Sequence, residues 1–222
     1  MRSSGPHPVR VDVLDLTVTE GSYLIGSCDG GGFDAVLARA PERVQKPKWR
    51  EFRMQPLYDP EAVRPMWEEL AQCGVTPLKA AADVDEALGK PGTTLIVVNS
   101  ICGCAAGGAR PGVTQALQAA VIPDHLTTVF AGVDMEATQR ARERMPEVAP
   151  SSPSVALFKD GALVYALERR HIERMTPDEI AGELEKAYRQ HCTRKGPSVP
   201  ADVYGQVVHA RQCGSQIPSF RG

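Results

Sequence analysis

The stretch Thr93-Thr94-Leu95-Ile96-Val97-Val98-Asn99 is apolar and β-branched without polar alternation, and it runs directly into Ser100-Ile101-Cys102-Gly103-Cys104. A strand with one wet face alternates apolar and polar residues, whereas an uninterrupted run is covered on both faces, as in the middle of a parallel sheet. The segment from Ala105 to Val121 has Ala, Leu and Gln in helical proportion, and Gly107, Gly108 and Pro111-Gly112 are expected to loosen or kink its first turns. A central strand therefore hands over to a helix at the two cysteines.

Working outward, Asp59 reads as an N-cap with Pro60 at N1, followed by Val63, Met66, Trp67 and Leu70 at helical spacing. This helix bends at Pro65 and stops at Gly74. A short extended piece near Thr76 to Leu78 precedes a small helix, Asp83 to Leu88, ended by Gly89 and Pro91-Gly92. Downstream lie a strand from Thr127 to Ala131 and a helix from Asp134 to Met145, so strand and helix repeat as in right-handed parallel crossovers. The style then changes. Ser154 to Lys159 and Ala162 to Glu168 are two strands joined at Asp160-Gly161, a two-residue hairpin signal. Thr176-Pro177-Asp178-Glu179 is a capping box, and Ile180, Leu184, Ala187 and Tyr188 line one face of a closing helix that ends near His191-Cys192. The fold class is α/β, a central mixed sheet with helices on both faces.

The flanks read differently. Residues 1–53 hold an alternating stretch, Val9 to Val18, and a weak helical stretch, Phe33 to Arg39, joined by Gly30-Gly31-Gly32, with too few apolar residues for a core of their own. They are an N-terminal extension: a disordered arm, two accessory elements, or, if Met54 is the true start, a mis-assigned leader. Residues 54–192 form the main domain. Residues 193–222, with Pro197, Pro200, Gly205, Gly214 and Pro218, read as an extended C-terminal tail.

Composition removes several function classes. The longest clean apolar run, Leu95 to Val98, is far short of the roughly 18 residues of a membrane span. Val11 to Leu16 carries carboxylates where a secretory signal needs an apolar core. Residues 54–192 hold 13 basic and 19 acidic side chains, which argues against nucleic acid as a partner. Six cysteines in 222 residues are too few for a disulfide scaffold, so the expected compartment is the reducing cytoplasm, where cysteines that matter are catalytic or metal-binding.

At a strand-to-helix corner, the unpaired N–H groups and dipole of the first helical turn favour a thiolate and lower a cysteine pKa below its reference of about 8.5. Only the thiolate attacks a disulfide, and a second thiol nearby resolves the product. Gly103 gives the backbone freedom for a tight link and leaves the sulfur uncovered. Two cysteines one residue apart close a small, strained ring, so an oxidised pair is expected to open readily and to suit isomerisation or acceptance of a thiol adduct. Small apolar filler and half of a zinc site are the other readings of the pair. Ser151-Ser152-Pro153-Ser154, immediately before the hairpin, completes a thioredoxin-like layout, in which a Pro, usually cis, lies beside the active-site sulfur and offers backbone to substrate. An ordinary strand-entry turn is the alternative for Pro153.

Val97 to Gly107 with Ala109-Arg110-Pro111, then Thr128 to Asp134, Pro150 to Ser154 and His191-Cys192, resemble the bacilliredoxin family over about residues 54–192. These are thioredoxin-like bacterial proteins that use bacillithiol. The resemblance implies that Cys102 attacks a protein–bacillithiol mixed disulfide, releases the repaired client thiol and carries the bacillithiol, and that Cys104 or free bacillithiol resolves the adduct. It also implies weak disulfide isomerase activity, bacillithiolated proteins and bacillithiol as partners, and no bound cofactor. Arg110 is a candidate for binding a bacillithiol carboxylate, or a solvated surface charge; Gly103, Ser152 and Pro153 are the other candidate substrate contacts. His171 reads as a polar connector or as a group that tunes the site electrostatically, Arg169-Arg170 as solvent-exposed, Cys73 as packing, and Cys192 as a bystander away from the active-site loop or a point of intermolecular disulfide formation. Cys28 and Cys213 have no ligand-like partners in sequence. Two other functions stay open: a zinc or iron–sulfur module using Cys102 and Cys104 with His191-Cys192 or Cys213, and a non-catalytic thioredoxin-like adaptor.

Overall fold

The computed structural model describes residues 22–25, 36–39, 55–210 and 217. The chain divides into two units, Met1–Phe52 and Arg53–Gly222. In the first, β1 (Ser22–Ile25) and β2 (Val36–Arg39) form an antiparallel pair with Ser22 opposite Arg39 and Ile25 opposite Val36. The helical reading of Phe33 to Arg39 is thereby corrected: backbone pairing with a β-rich partner overrides weak helical periodicity. The alternating stretch Val9 to Val18 lies outside the described residues.

The second unit begins with α1 (Arg64–Ala71), β3 (Thr76–Pro77), α2 (Ala81–Gly89) and β4 (Thr93–Asn99). A π-helical turn, Ala105–Ala109, leads into α3 (Arg110–Ala116), then β5 (Val121–Ile122), β6 (His125–Phe130) and α4 (Met135–Glu143). The hairpin β7 (Ser154–Lys159) and β8 (Ala162–Leu167), a short α5 (Arg169–Ile172), the long α6 (Pro177–His191), β9 (Arg194–Lys195) and α7 (Ala201–Tyr204) follow. The main sheet has the order β3-β6-β4-β7-β8. β4 is parallel to β6 on one side and antiparallel to β7 on the other, so the central mixed sheet expected from the sequence is present.

All seven residues of β4 are buried, and the strand period explains why. Leu95 and Val97 pack with Val113 and Leu117, Ile180 and Leu184 on the α3/α6 face. Ile96 and Val98 pack with Val84, Leu88, Ala137 and Ala141 on the α2/α4 face. Each such side chain contributes about 1.5–3 kcal/mol by leaving water. On the α3/α6 face the helices approach closely at Gly112, where a Cβ would stand 2.7 Å from Ile180 Cγ2 and 2.9 Å from the Pro177 carbonyl. Gly112→Ala is expected to destabilise the domain by about 1–3 kcal/mol through overpacking, read as a lower urea midpoint; an unchanged midpoint would show that the two helices separate at little cost.

Several boundaries depart from expectation. Asp59 does cap a turn, accepting from the Glu61 N–H at 2.9 Å, but the helix proper starts at Arg64 with Pro65 in its first turn. Proline lacks the N–H that a continuous helix would need there, so Pro65 starts the helix instead of bending it. The segment expected to stay helical to Val121 ends at Ala116, because Ser198 and Gly196 donate to the Leu117 and Ala120 carbonyls and β5 pairs with β9. Residues 194–210 are accordingly no free tail. β9 and α7 lie in this segment, Ala210 packs at the edge of the Val63, Met66, Phe130 and Ile217 cluster, and Val207 against the α3/α6 core. The Asp160-Gly161 hairpin is as expected, both residues having positive φ (50° and 79°), and the capping box at Thr176 is formed. Among the described residues no helix is long and apolar enough to cross a membrane.

Candidate active site

β4 delivers the site. At its last residue the Asn99 amide donates to the Met66 carbonyl at 3.0 Å and accepts from the Ser100 N–H at 2.8 Å, fixing the exit of the strand. The Ser100 hydroxyl then donates to Cys102 Sγ at 3.2 Å. The N–H groups of Ala105 and Ala106 turn back to the Cys102 carbonyl at 3.1 and 3.2 Å. The glycine pair expected to loosen this region sits in the π-helical turn, closed by Arg110 N–H on the Ala105 carbonyl. Cys102 and Cys104 are free, partly exposed thiols, and Gly103 is exposed, with open space where a Cβ would stand. A cavity of about 450 Å³ lined by Gly103, Ala106, Gly107, Pro111 and His209 borders the motif.

The two sulfurs are electrostatically unequal. Burial opposes ionisation of Cys102 and is its largest single influence, but hydrogen bonds from the Cys104 thiol, the Ser100 hydroxyl and the Ala105 N–H, with the charge of Arg169, outweigh it and bring the pKa below the ordinary thiol value. Cys104 is pushed up to about 11 by burial, by its hydrogen bond to Cys102 and by the negative charge that develops there. Within a few ångströms the chain thus holds one thiol poised to ionise and one held protonated.

Ser152-Pro153 is a cis peptide, and Pro153 is buried beside the entry to β7. The Ser152 carbonyl accepts from Arg169 Nη1 at 3.3 Å. Arg169 is exposed, as read from the sequence, and pairs with Glu173 at 3.5 Å, yet it also joins the Pro153 segment to the field around Cys102. The sequence signal for it is its position: it is the second residue after β8, the partner of the strand that Pro153 precedes. His171 is exposed, in agreement with its reading as connector.

Arg110 is corrected on both of its readings. Its side chain is 0% exposed and is neither a surface charge nor open to a ligand carboxylate. Nε donates to Glu69 Oε2 at 2.9 Å, Nη1 to the Ser100 carbonyl at 3.2 Å, and Nη2 to the Ala210 carbonyl at 2.6 Å. Glu69, also 0% exposed, further accepts from the Ala210 N–H at 3.0 Å and lies 2.6 Å from His209 Nδ1. This charged network underlies the exit of β4; sequence reading missed Glu69 and His209, whose partners are remote along the chain.

Among the described residues no three His, Cys, Asp or Glu side chains come together in a way that would hold a metal. Cys192 is buried next to Thr93 and Asp124, at the opposite end of a seven-residue strand from Cys102, a separation of roughly 20 Å. It cannot share a metal with the Cys pair. Cys73 is fully buried, as its packing role requires, with its pKa pushed up to about 11 by burial and by Glu69. Cys28 and Cys213 lie outside the described residues.

The sequence profile of a family described as disulphide isomerase matches residues 58–192. A bacilliredoxin of Salinibacter ruber is 47% identical over 167 residues, 74% of this chain and 97% of that protein. A bacilliredoxin of Cytophaga hutchinsonii is 51% identical over 132 residues, 60% of this chain and 98% of that protein. Among solved structures, oxidised mitochondrial thioredoxin 3 of Saccharomyces cerevisiae is 21% identical with a TM-score of 0.39, covering 54% of this chain and 98% of that one. With the profile spanning the whole region from α1 to the end of α6 and both relatives aligned almost end to end, the chain belongs to the bacilliredoxin family of thiol–disulfide oxidoreductases.

Proposed function

We propose that the protein removes bacillithiol from protein mixed disulfides in the cytoplasm, with Cys102 as nucleophile and Cys104 as resolving thiol. The observation that carries this reading is the asymmetry of the pair: Cys102 is biased towards its thiolate while Cys104 stays protonated. The Cys102 thiolate attacks the bacillithiol sulfur of the mixed disulfide; a Cys102–bacillithiol bond forms as the client–bacillithiol bond breaks, and the client sulfur leaves as a thiolate that takes a proton from water. A second bacillithiol then attacks the bound one, leaving as the oxidised dimer and restoring Cys102. Alternatively Cys104 loses its proton, attacks Cys102 Sγ and releases bacillithiol, leaving a Cys102–Cys104 disulfide.

In the second route Cys104 acts only after the adduct has formed, because its high pKa withholds the thiolate until the Cys102 charge is consumed by the adduct. Gly103 keeps the approach open, and the backbone at Ser152 and Pro153 offers the substrate an extended contact; Arg110 has no part in binding. Bacillithiol as co-substrate is supported by the name that the relatives carry, and weak disulfide isomerase activity is the same exchange run on a client's own disulfide.

The test is the intact mass of the Cys104→Ala protein after mixing with a bacillithiol-modified client, with Cys102→Ala as control. A single bacillithiol adduct that requires Cys102 is the expected result. Absence of an adduct from both variants would overturn the assignment.

A further inference from the structure

A second cavity, of about 670 Å³, lies between α4, the end of β6 and the approach to Pro153, and Ser152 is part of its wall. Such a volume suits a small molecule. Tyr58 forms another wall, its ring packed so closely on Gly132 that a Cβ there would stand 2.6 Å from Cε2. Two donors from one face of α4 reach this space. Thr138 is 4% exposed, yet its hydroxyl has no partner. Arg142 is one turn later on the same face; its Nε is buried and unpartnered, and the residue makes no ion pair among the described residues.

The charges that flank Arg142 on α4, Arg140 and Glu143, are satisfied, which isolates this pair. Arg140 is bound by Asp85 and Glu143. Glu143 also lines the cavity, but its carboxylate is held by Gln139 and Arg140. A half-buried guanidinium without a counter-charge is costly, and burial pulls Arg142 below the ordinary arginine pKa. A planar guanidinium beside a hydroxyl donor matches a carboxylate. Ser152 ties the cavity to the sulfur: its carbonyl is held by Arg169, whose charge favours the Cys102 thiolate.

We propose that this cavity is a subsite for a carboxylate of the small thiol exchanged at Cys102, with Arg142 and Thr138 as its donors. The inference rests on the exchange reading above and adds the residues, Arg142 and Thr138, that would select a carboxylate-bearing low-molecular-weight thiol over neutral or cationic ones. Arg142 is a specificity-determining residue and takes no part in the sulfur chemistry.

The test uses the full chain carrying Cys104→Ala and follows Cys102 adduct formation by intact mass with three symmetrical disulfides, those of mercaptosuccinate, 2-mercaptoethanol and cysteamine. Arg142→Gln is expected to slow the reaction with the mercaptosuccinate disulfide roughly tenfold or more, from the loss of a charge-assisted hydrogen bond. The rate with the neutral disulfide should not change, and Arg142→Lys should recover part of the loss. Thr138→Val, nearly isosteric, should slow only the dicarboxylate, by a few-fold. Equal rates in Arg142→Gln and the parent, or an equal loss with all three disulfides, would overturn the subsite and leave the exchange reading intact. Failure of the parent to react with the neutral disulfide would instead overturn the exchange reading and the subsite with it.

Discussion

Cys102→Ser is expected to abolish fast exchange with any disulfide and leave only the slow reaction of Cys104, because a serine hydroxyl is not ionised near neutral pH and only an anionic sulfur attacks a disulfide at a useful rate. The same physics sets a pH signature in the unsubstituted protein. The thiolate is the base form, so the alkylation rate of Cys102 rises with pH and reaches half its maximum below the ordinary thiol value, since the Cys104, Ser100 and Ala105 hydrogen bonds and Arg169 outweigh burial. Cys104, at about 11, contributes little at neutral pH. Iodoacetamide should therefore label one sulfur of the pair in a fast phase and the other slowly. In Cys102→Ser the fast phase vanishes, while Cys104 becomes more reactive than before because the Cys102 charge that raised its pKa is gone. A midpoint at or above the ordinary thiol value, or a fast phase that survives Cys102→Ser, would refute the assignment of the nucleophile.

Glu69→Ala should lower stability by about 3–5 kcal/mol, the scale for stranding one partner of a buried ion pair. Arg110 and Glu69 are each 0% exposed, and without the carboxylate the guanidinium keeps only neutral acceptors: the Asn99 side chain and the Ser100 and Ala210 carbonyls. Such a loss is a large share of the roughly 5–15 kcal/mol that holds a domain folded. Replacing both partners by apolar residues of similar size should cost far less. It would still release the Ser100 carbonyl from Arg110, and with it part of the frame that aims the Ser100 hydroxyl at Cys102. Urea unfolding with an unchanged slope measures the first effect, and the alkylation midpoint of Cys102 in the double variant reads the second. A loss below about 1 kcal/mol in Glu69→Ala would show that water reaches the guanidinium.

What could be read from the sequence was what neighbouring residues decide together. The β4 run, the Asp160-Gly161 turn and the Thr176 capping box each carry their cause within a few positions, and each stands where expected. The placement of Cys102 and Cys104 follows from the same local logic, because they sit where a buried strand ends and a helix begins. Arg110 shows where this logic stops: its side chain is indistinguishable from a surface arginine until Glu69, 41 residues away, and Ala210, 100 residues away, are brought to it. The helix expected to reach Val121 stops early for a similar reason, since its competitor is a strand at Arg194–Lys195. Arg169 escaped notice because its importance comes from the Ser152 segment folding against it, which the pairing of β7 with β8 creates.

The grip of Ala210 on the buried pair also has a meaning in time. Chains emerge from the ribosome amino end first, at about 5–20 residues per second, so the 100 residues between Arg110 and Ala210 correspond to roughly 5–20 seconds of translation. During that interval Glu69 and Arg110 already exist, but the donor and acceptor that complete their shell do not. The contacts that the Ala210 backbone makes to Arg110 and Glu69 are therefore the last of this network to be synthesised, after every strand of the main sheet and after α6.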